Sequence, residues 1–156
     1  SLLNDLRAKG LPGPAGLALF SPEVGLGFTD ASVTENASLD ILPWNIPSSP
    51  YLHGVDPHDP RVDPLDDDLS SYPPTFVAFG DDEMFRDSIR RFLARLDGSG
   101  VRTVSLEEPG MFHVFPFLMP WAQASRRVFV HVGRFIGDCL PPDTPSMPPV
   151  VELDVG

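Results

Sequence analysis

The segment Glu108-Pro109-Gly110-Met111-Phe112-His113-Val114-Phe115 sets one histidine just past an expected strand, on a turn opened by Pro-Gly. Upstream, Gly80-Asp81-Asp82-Glu83 closes another expected strand with acids. A carboxylate and an imidazole at successive strand ends have the makings of two thirds of a Ser-His-Asp triad. In such a triad the acid holds one ring nitrogen and the other takes a proton from a nucleophile. The apolar neighbours Met111, Phe112, Val114 and Phe115 lower the local dielectric and strengthen a histidine–carboxylate hydrogen bond. No Gly-x-Ser-x-Gly occurs in the chain, so the nucleophile's usual sequence context is absent.

The chain has four histidines, and location separates them. His131 falls mid-helix beside apolar residues and reads as packing. His53 and His58 lie in a polar connection, where solvent or loop hydrogen bonds suffice. For the acid, Asp81, Asp82, Glu83 and Asp87 all compete. Their ordinary duty would be to cap a helix expected from about residue 84, whose positive end favours carboxylates.

The elements that must position these groups follow from pattern. Residues 1–9 read as the last turns of a helix, stopped by Gly10. Gly16-Leu17-Ala18-Leu19-Phe20 and Thr75-Phe76-Val77-Ala78-Phe79 are short continuous apolar runs, as in parallel strands buried on both faces. Val101–Leu106 alternates more and reads as a strand nearer an edge. Between the second and third strands, Ile89, Phe92, Leu93 and Leu96 form one helical stripe over 84–97, with Arg90, Arg91 and Arg95 outside. A last helix over 120–139 carries the stripe Ala124, Val128, Val132, Phe135 and Cys139. Strand, helix, strand, helix with short links implies an α/β fold with parallel crossovers. In open α/β sheets the carboxyl ends of the strands bind ligand.

Residues 22–74 form a long connection rich in Pro, Asp, Ser and Gly, expected to wall a pocket. Short helical turns are expected near residues 38–40 and 66–70. The tail from Pro141 is proline-rich and expected to be disordered. The partition is therefore a partial domain over 1–140 and a tail over 141–156. The chain opens on Ser1, and Leu2, Leu3 and Leu6 read as the end of a helix begun earlier, so a fragment or processed product is the expectation.

A net charge of −11 argues against nucleic acid and anionic membrane surfaces, which call for a basic patch. No apolar run reaches the length of a membrane span. One cysteine, Cys139, excludes an internal disulfide and fits a reducing compartment, so a cytoplasmic location is the expectation. Asp56, Asp59 and the run Asp63-Pro64-Leu65-Asp66-Asp67-Asp68 could be read as calcium ligands. They lack the glycine-centred spacing and terminal Glu of an EF-hand loop, and turn and helix-start duties account for them better. No zinc spacing and no phosphate-cradling glycine loop occur. No cofactor or metal is expected.

Across residues 1–138 the chain resembles the C-terminal half of the hormone-sensitive-lipase-like esterases, the α/β-hydrolase fold-3 group. The resemblance runs through Leu11-Pro12-Gly13-Pro14-Ala15-Gly16-Leu17-Ala18-Leu19-Phe20-Ser21-Pro22, Asn36-Ala37 and Tyr51-Leu52-His53-Gly54-Val55-Asp56-Pro57. It continues in Asp59-Pro60-Arg61-Val62-Asp63-Pro64-Leu65 and Tyr72-Pro73-Pro74-Thr75, and ends in Gly80-Asp81-Asp82-Glu83 and Pro109-Gly110-Met111-Phe112-His113-Val114-Phe115. It departs at Asp63, where that group often has a small polar residue. The resemblance implies the C-terminal part of an α/β-hydrolase fold, with about three parallel strands, flanking helices and the long connection as a pocket wall. It implies hydrolysis of small-molecule carboxylic esters through an acyl-enzyme, with Asp82 as triad acid and His113 as triad base. The nucleophile and oxyanion loop of that group would lie upstream, so this chain alone is expected to be inactive. The alternative is a non-catalytic hydrolase-derived module that binds a partner chain, such as one carrying the N-terminal half of the same fold.

Overall fold

A computed structural model describes residues 2–42, 52 and 54–140. The proline-rich tail, His53 and part of the long connection lie outside the described residues. Helix α1 (Leu2–Ala8) leads to strand β1 (Leu17–Phe20), then α2 (Ala31–Glu35) and two 3-10 turns, Pro64–Asp66 and Leu69–Ser71. The remainder runs β2 (Thr75–Gly80), α3 (Arg86–Gly98), β3 (Thr103–Glu108), the single turn α4 (Phe115–Leu118) and α5 (Gln123–Cys139).

The three strands form one parallel sheet in the order β1-β2-β3. Leu17 pairs with Thr75, and Thr75 with Thr103, so β2 is flanked on both sides. All six residues of β2 are buried. Because successive side chains of a strand point to opposite faces, β2 feeds two cores. Val77 and Phe79 pack with Ile89, Phe92 and Leu96 of α3. Phe76 and Ala78 pack with Ala124, Val128, Val132 and Phe135 of α5. Both helical stripes read from the sequence therefore face the sheet, with Leu93 and Cys139 at their half-buried margins.

The continuous apolar run of β1 is expected to be buried on both faces, and it is not. Ala18 is exposed and its neighbours are half-buried. Among the described residues β1 has a strand on one side, and this edge position leaves its flanks open.

The acids of the long connection serve it structurally. Buried Asp63 accepts the backbone N–H groups of Gly25, Leu26 and Leu65, clipping the start of the connection to its end. Asp68 accepts from Ser70 N–H at the second 3-10 turn. Asp67 accepts from the Tyr72 hydroxyl, and Asp66 meets His58 Nδ1 at 3.1 Å. With α3 the connection lines a cleft of 470 Å³ that includes Gly25, His58, Asp66 and Arg91. Neither Glu83 nor His113 lines it. Among the described residues no helix is long and apolar enough to cross a membrane.

Candidate active site

The ends of β2 and β3 are stitched together before any side chain enters. Asp81 N–H donates to Glu108 O at 3.2 Å, and Asp82 N–H to Met111 O at 3.0 Å. Gly110 N–H donates to Asp81 Oδ1 at 2.6 Å. Gly80 makes the approach possible, because a Cβ there would lie 1.9 Å from Met111 O. Gly110 takes φ +67 at the head of the histidine turn, a region open to glycine at little cost.

This stitching brings His113 to Glu83. His113 Nδ1 lies 3.3 Å from Glu83 Oε2. The Glu83 side chain is fully buried, while the His113 ring keeps 16% of its surface exposed. The ring meets Phe85 edge-on, with centroids 5.5 Å apart. Nδ1 thus faces a buried acid while part of the ring stays open to the outside.

The resemblance places the acid at Asp82, and the geometry differs. Asp82 is half-buried, and its hydrogen bond into the histidine turn comes from the backbone N–H. Met84 and Phe85 are 4% and 6% exposed, and their burial draws the preceding carboxyl inward. Asp81 and Asp82 stay at the rim. Those two apolar residues after Glu83 are a sequence signal that could have found it.

The capping duty is also unrealised. Helix α3 starts at Arg86 and its N-cap position is Phe85, which makes no side-chain cap; the Ser32 hydroxyl of α2 accepts the first-turn N–H of Asp87 instead. The Asp87 side chain accepts from Ser32 N–H at 3.0 Å and pairs with Arg86. His131 is half-buried on α5 and His58 exposed, both away from the strand ends.

Two residues missed in the sequence support the pair. Ser21, buried at the end of β1, accepts from Val114 N–H through its hydroxyl at 2.9 Å. Asp40 accepts from His113 N–H at 3.0 Å and from Met84 N–H at 2.7 Å. Neither stands in a recognisable local pattern, because these contacts span 93, 73 and 44 residues.

Burial pushes the Glu83 carboxyl above the usual glutamate range. The hydrogen bonds of His113 and Ser21 pull it down, and the charge of Asp40 pushes it up. The folded chain therefore holds the Glu83 proton to higher pH than the unfolded chain does. Between the ordinary glutamate value and the raised one the folded state binds more protons, so stability falls as pH rises through that window. Glu83→Gln removes this component. Its urea midpoint should fall less steeply than the wild-type midpoint across the window, and parallel curves would contradict the assignment.

A family model described as the alpha/beta hydrolase fold matches residues 1–117. The chain belongs to the alpha/beta hydrolase fold family. Among curated members it is similar to an esterase of Acinetobacter venetianus, 32% identical over 142 residues, covering 86% of this chain and 47% of the relative. It is also similar to an acetyl-hydrolase of Streptomyces hygroscopicus, 30% identical over 138 residues, covering 86% and 46%. Among solved structures it is similar to a hormone-sensitive lipase from a metagenome library, with a TM-score of 0.80 and 26% identity over 88% of this chain and 48% of that one. The chain spans about half the length of the curated relatives it matches. The hormone-sensitive-lipase-like character read from the residues is borne out, and within the alpha/beta hydrolase fold family this chain is esterase-like.

Proposed function

We propose that the chain supplies the acid–base part of a carboxylesterase site, with Glu83 as the acid and His113 as the base. The observation that carries this reading is the contact between His113 Nδ1 and buried Glu83 Oε2. Glutamate serves as triad acid elsewhere among α/β-hydrolases. A serine hydroxyl supplied from outside these 156 residues would attack the ester carbonyl while His113 Nε2 takes its proton. Glu83 holds the proton on Nδ1 and stabilises the imidazolium. His113 then returns the proton to the leaving alkoxide, and water releases the acyl group by the same steps. The substrate class is a small carboxylic ester, in keeping with the relatives named esterase and acetyl-hydrolase.

Without a nucleophile elbow or an oxyanion loop, the chain lacks the largest contributions to transition-state stabilisation. The isolated chain should release no burst of nitrophenol from p-nitrophenyl esters. A burst that His113→Ala abolishes would overturn this division of the site.

A second reading, a non-catalytic module docking on a partner chain, draws on the open edge of β1. Phe117 is 58% exposed and packs edge-on against Phe20 of β1 at 4.9 Å, so apolar surface continues off that strand. Light scattering discriminates: a monomer that unfolds cooperatively argues against an obligatory partner.

A further inference from the structure

Asp40 does something that no other acid in the turn around it does. Its Oδ2 accepts the N–H of Met84, the residue directly after Glu83, at 2.7 Å. Its Oδ1 accepts the N–H of His113 itself at 3.0 Å, and that of Ile41 at 2.7 Å. A carboxylate is an acceptor on both oxygens, with about four lone-pair sites. Its bonds to backbone N–H groups are charge-assisted and shorter and stronger than neutral ones. One side chain thus holds the backbone next to the acid and the backbone of the base.

Its neighbours secure the acid turn but do not reach across. Asn36 Nδ2 donates to Asp81 O and Glu83 O at 3.0 and 2.9 Å, and the Ser32 hydroxyl to Met84 O at 2.7 Å. These fix residues 81–84 from one side. In that set Asp40 is the member that also reaches the histidine turn. Its charge sits unfavourably beside Glu83. A neutral amide would avoid that repulsion, but it carries one acceptor oxygen where two are used.

We propose that Asp40 is the positioning residue of the Glu83–His113 pair, its two carboxylate oxygens setting the separation between Nδ1 and Oε2. The inference rests on reading that pair as acid and base. It gives Asp40 no contact with substrate.

Asp40→Asn tests it in the full 156-residue chain, labelled with nitrogen-15. The amide oxygen can keep one of the two N–H groups, and the amide NH₂ must face the other. Protection against hydrogen exchange should fall about tenfold at Met84 or His113. The His113 Nδ1–H signal should be slowed in wild type by its bond to Glu83, and in the variant it should broaden and be lost. Amide protection lost while the ring signal persists would make Asp40 a structural clip and overturn the proposal, as would protection unchanged at both amides. Should Asp40→Asn fail to fold, exchange in the unmodified chain decides. Amides held by one carboxylate open together, so separate opening at Met84 and His113 overturns it. If a longer protein that joins this chain to a serine nucleophile shows no esterase activity while Asp40→Asn still uncouples the ring, the esterase reading falls and the positioning role stands.

Discussion

Glu83→Gln, in a protein that joins this chain to a nucleophilic serine, should lower kcat for p-nitrophenyl esters by about 10⁴-fold, the scale of losing the acid from a serine protease triad. Asp82→Asn should leave kcat close to wild type. Glutamine keeps the shape of Glu83 but loses the charge that stabilises the imidazolium. It can also present NH₂ to Nδ1, which selects the wrong tautomer. Because Glu83 is fully buried and the His113 ring only 16% exposed, water cannot readily replace the missing charge. Asp82 enters the histidine turn through its backbone N–H, which survives the substitution. Steady-state kinetics on both variants decides between the two carboxylates. A large loss in Asp82→Asn with a small one in Glu83→Gln would return the acid to the position the resemblance implied.

Gly80→Ala should be the most destabilising of the small substitutions near the site, by about 3 kcal/mol. The methyl group would fall 1.9 Å from Met111 O, and Met111 C and Phe112 N stand 2.3 and 2.9 Å away. All three are backbone atoms, so no side chain can rotate aside. Met111 O also accepts from Asp82 N–H, so separating the turns breaks a bond as well as removing a clash. At a urea m-value of about 2 kcal/mol/M the midpoint should drop by roughly 1.5 M. Gly133→Ala on α5 is the control. Nothing lies within 4 Å of the new Cβ there, and helix propensity predicts a gain of about 0.5–1 kcal/mol. Equal effects at the two positions would mean that the turn gives way without cost.

The framework was legible in the chain because its signals are periodic. The apolar run of β2 and the stripes of α3 and α5 state which faces are buried, and the structure buries them. His113 was legible because it follows a strand end and a Pro-Gly turn. Its partner was not, since three successive acids at a strand end cannot be ranked by period. The apolar pair Met84 and Phe85 after Glu83 is the local hint that sets it apart from Asp81 and Asp82, and all three of those residues from 83 to 85 are buried in the fold. Ser21 and Asp40 were out of reach for another reason. Their bonds to the histidine turn close distances of 93 and 73 residues, and no local propensity encodes such contacts. The burial expected for both faces of β1 failed because an apolar run describes a strand's affinity for a core, not how many neighbours it receives.

Three non-glycine residues hold left-handed backbone among those described: Ser21, Phe28 and Val114, at φ 46, 50 and 50. Two of them, Ser21 and Val114, are joined by a hydrogen bond beside His113. For a β-branched residue such as Val114 this conformation is a genuine outlier, and each such residue costs of the order of 1–3 kcal/mol. The unfavourable conformations are thus concentrated at the pair, while the cohesion that sustains them resides in β2 and its two helices. The site is therefore exposed to damage at a distance. A cavity opened in the Phe76 or Phe79 layer would lower the stability that keeps Val114 left-handed, and chemistry could fade while the three strands remain paired.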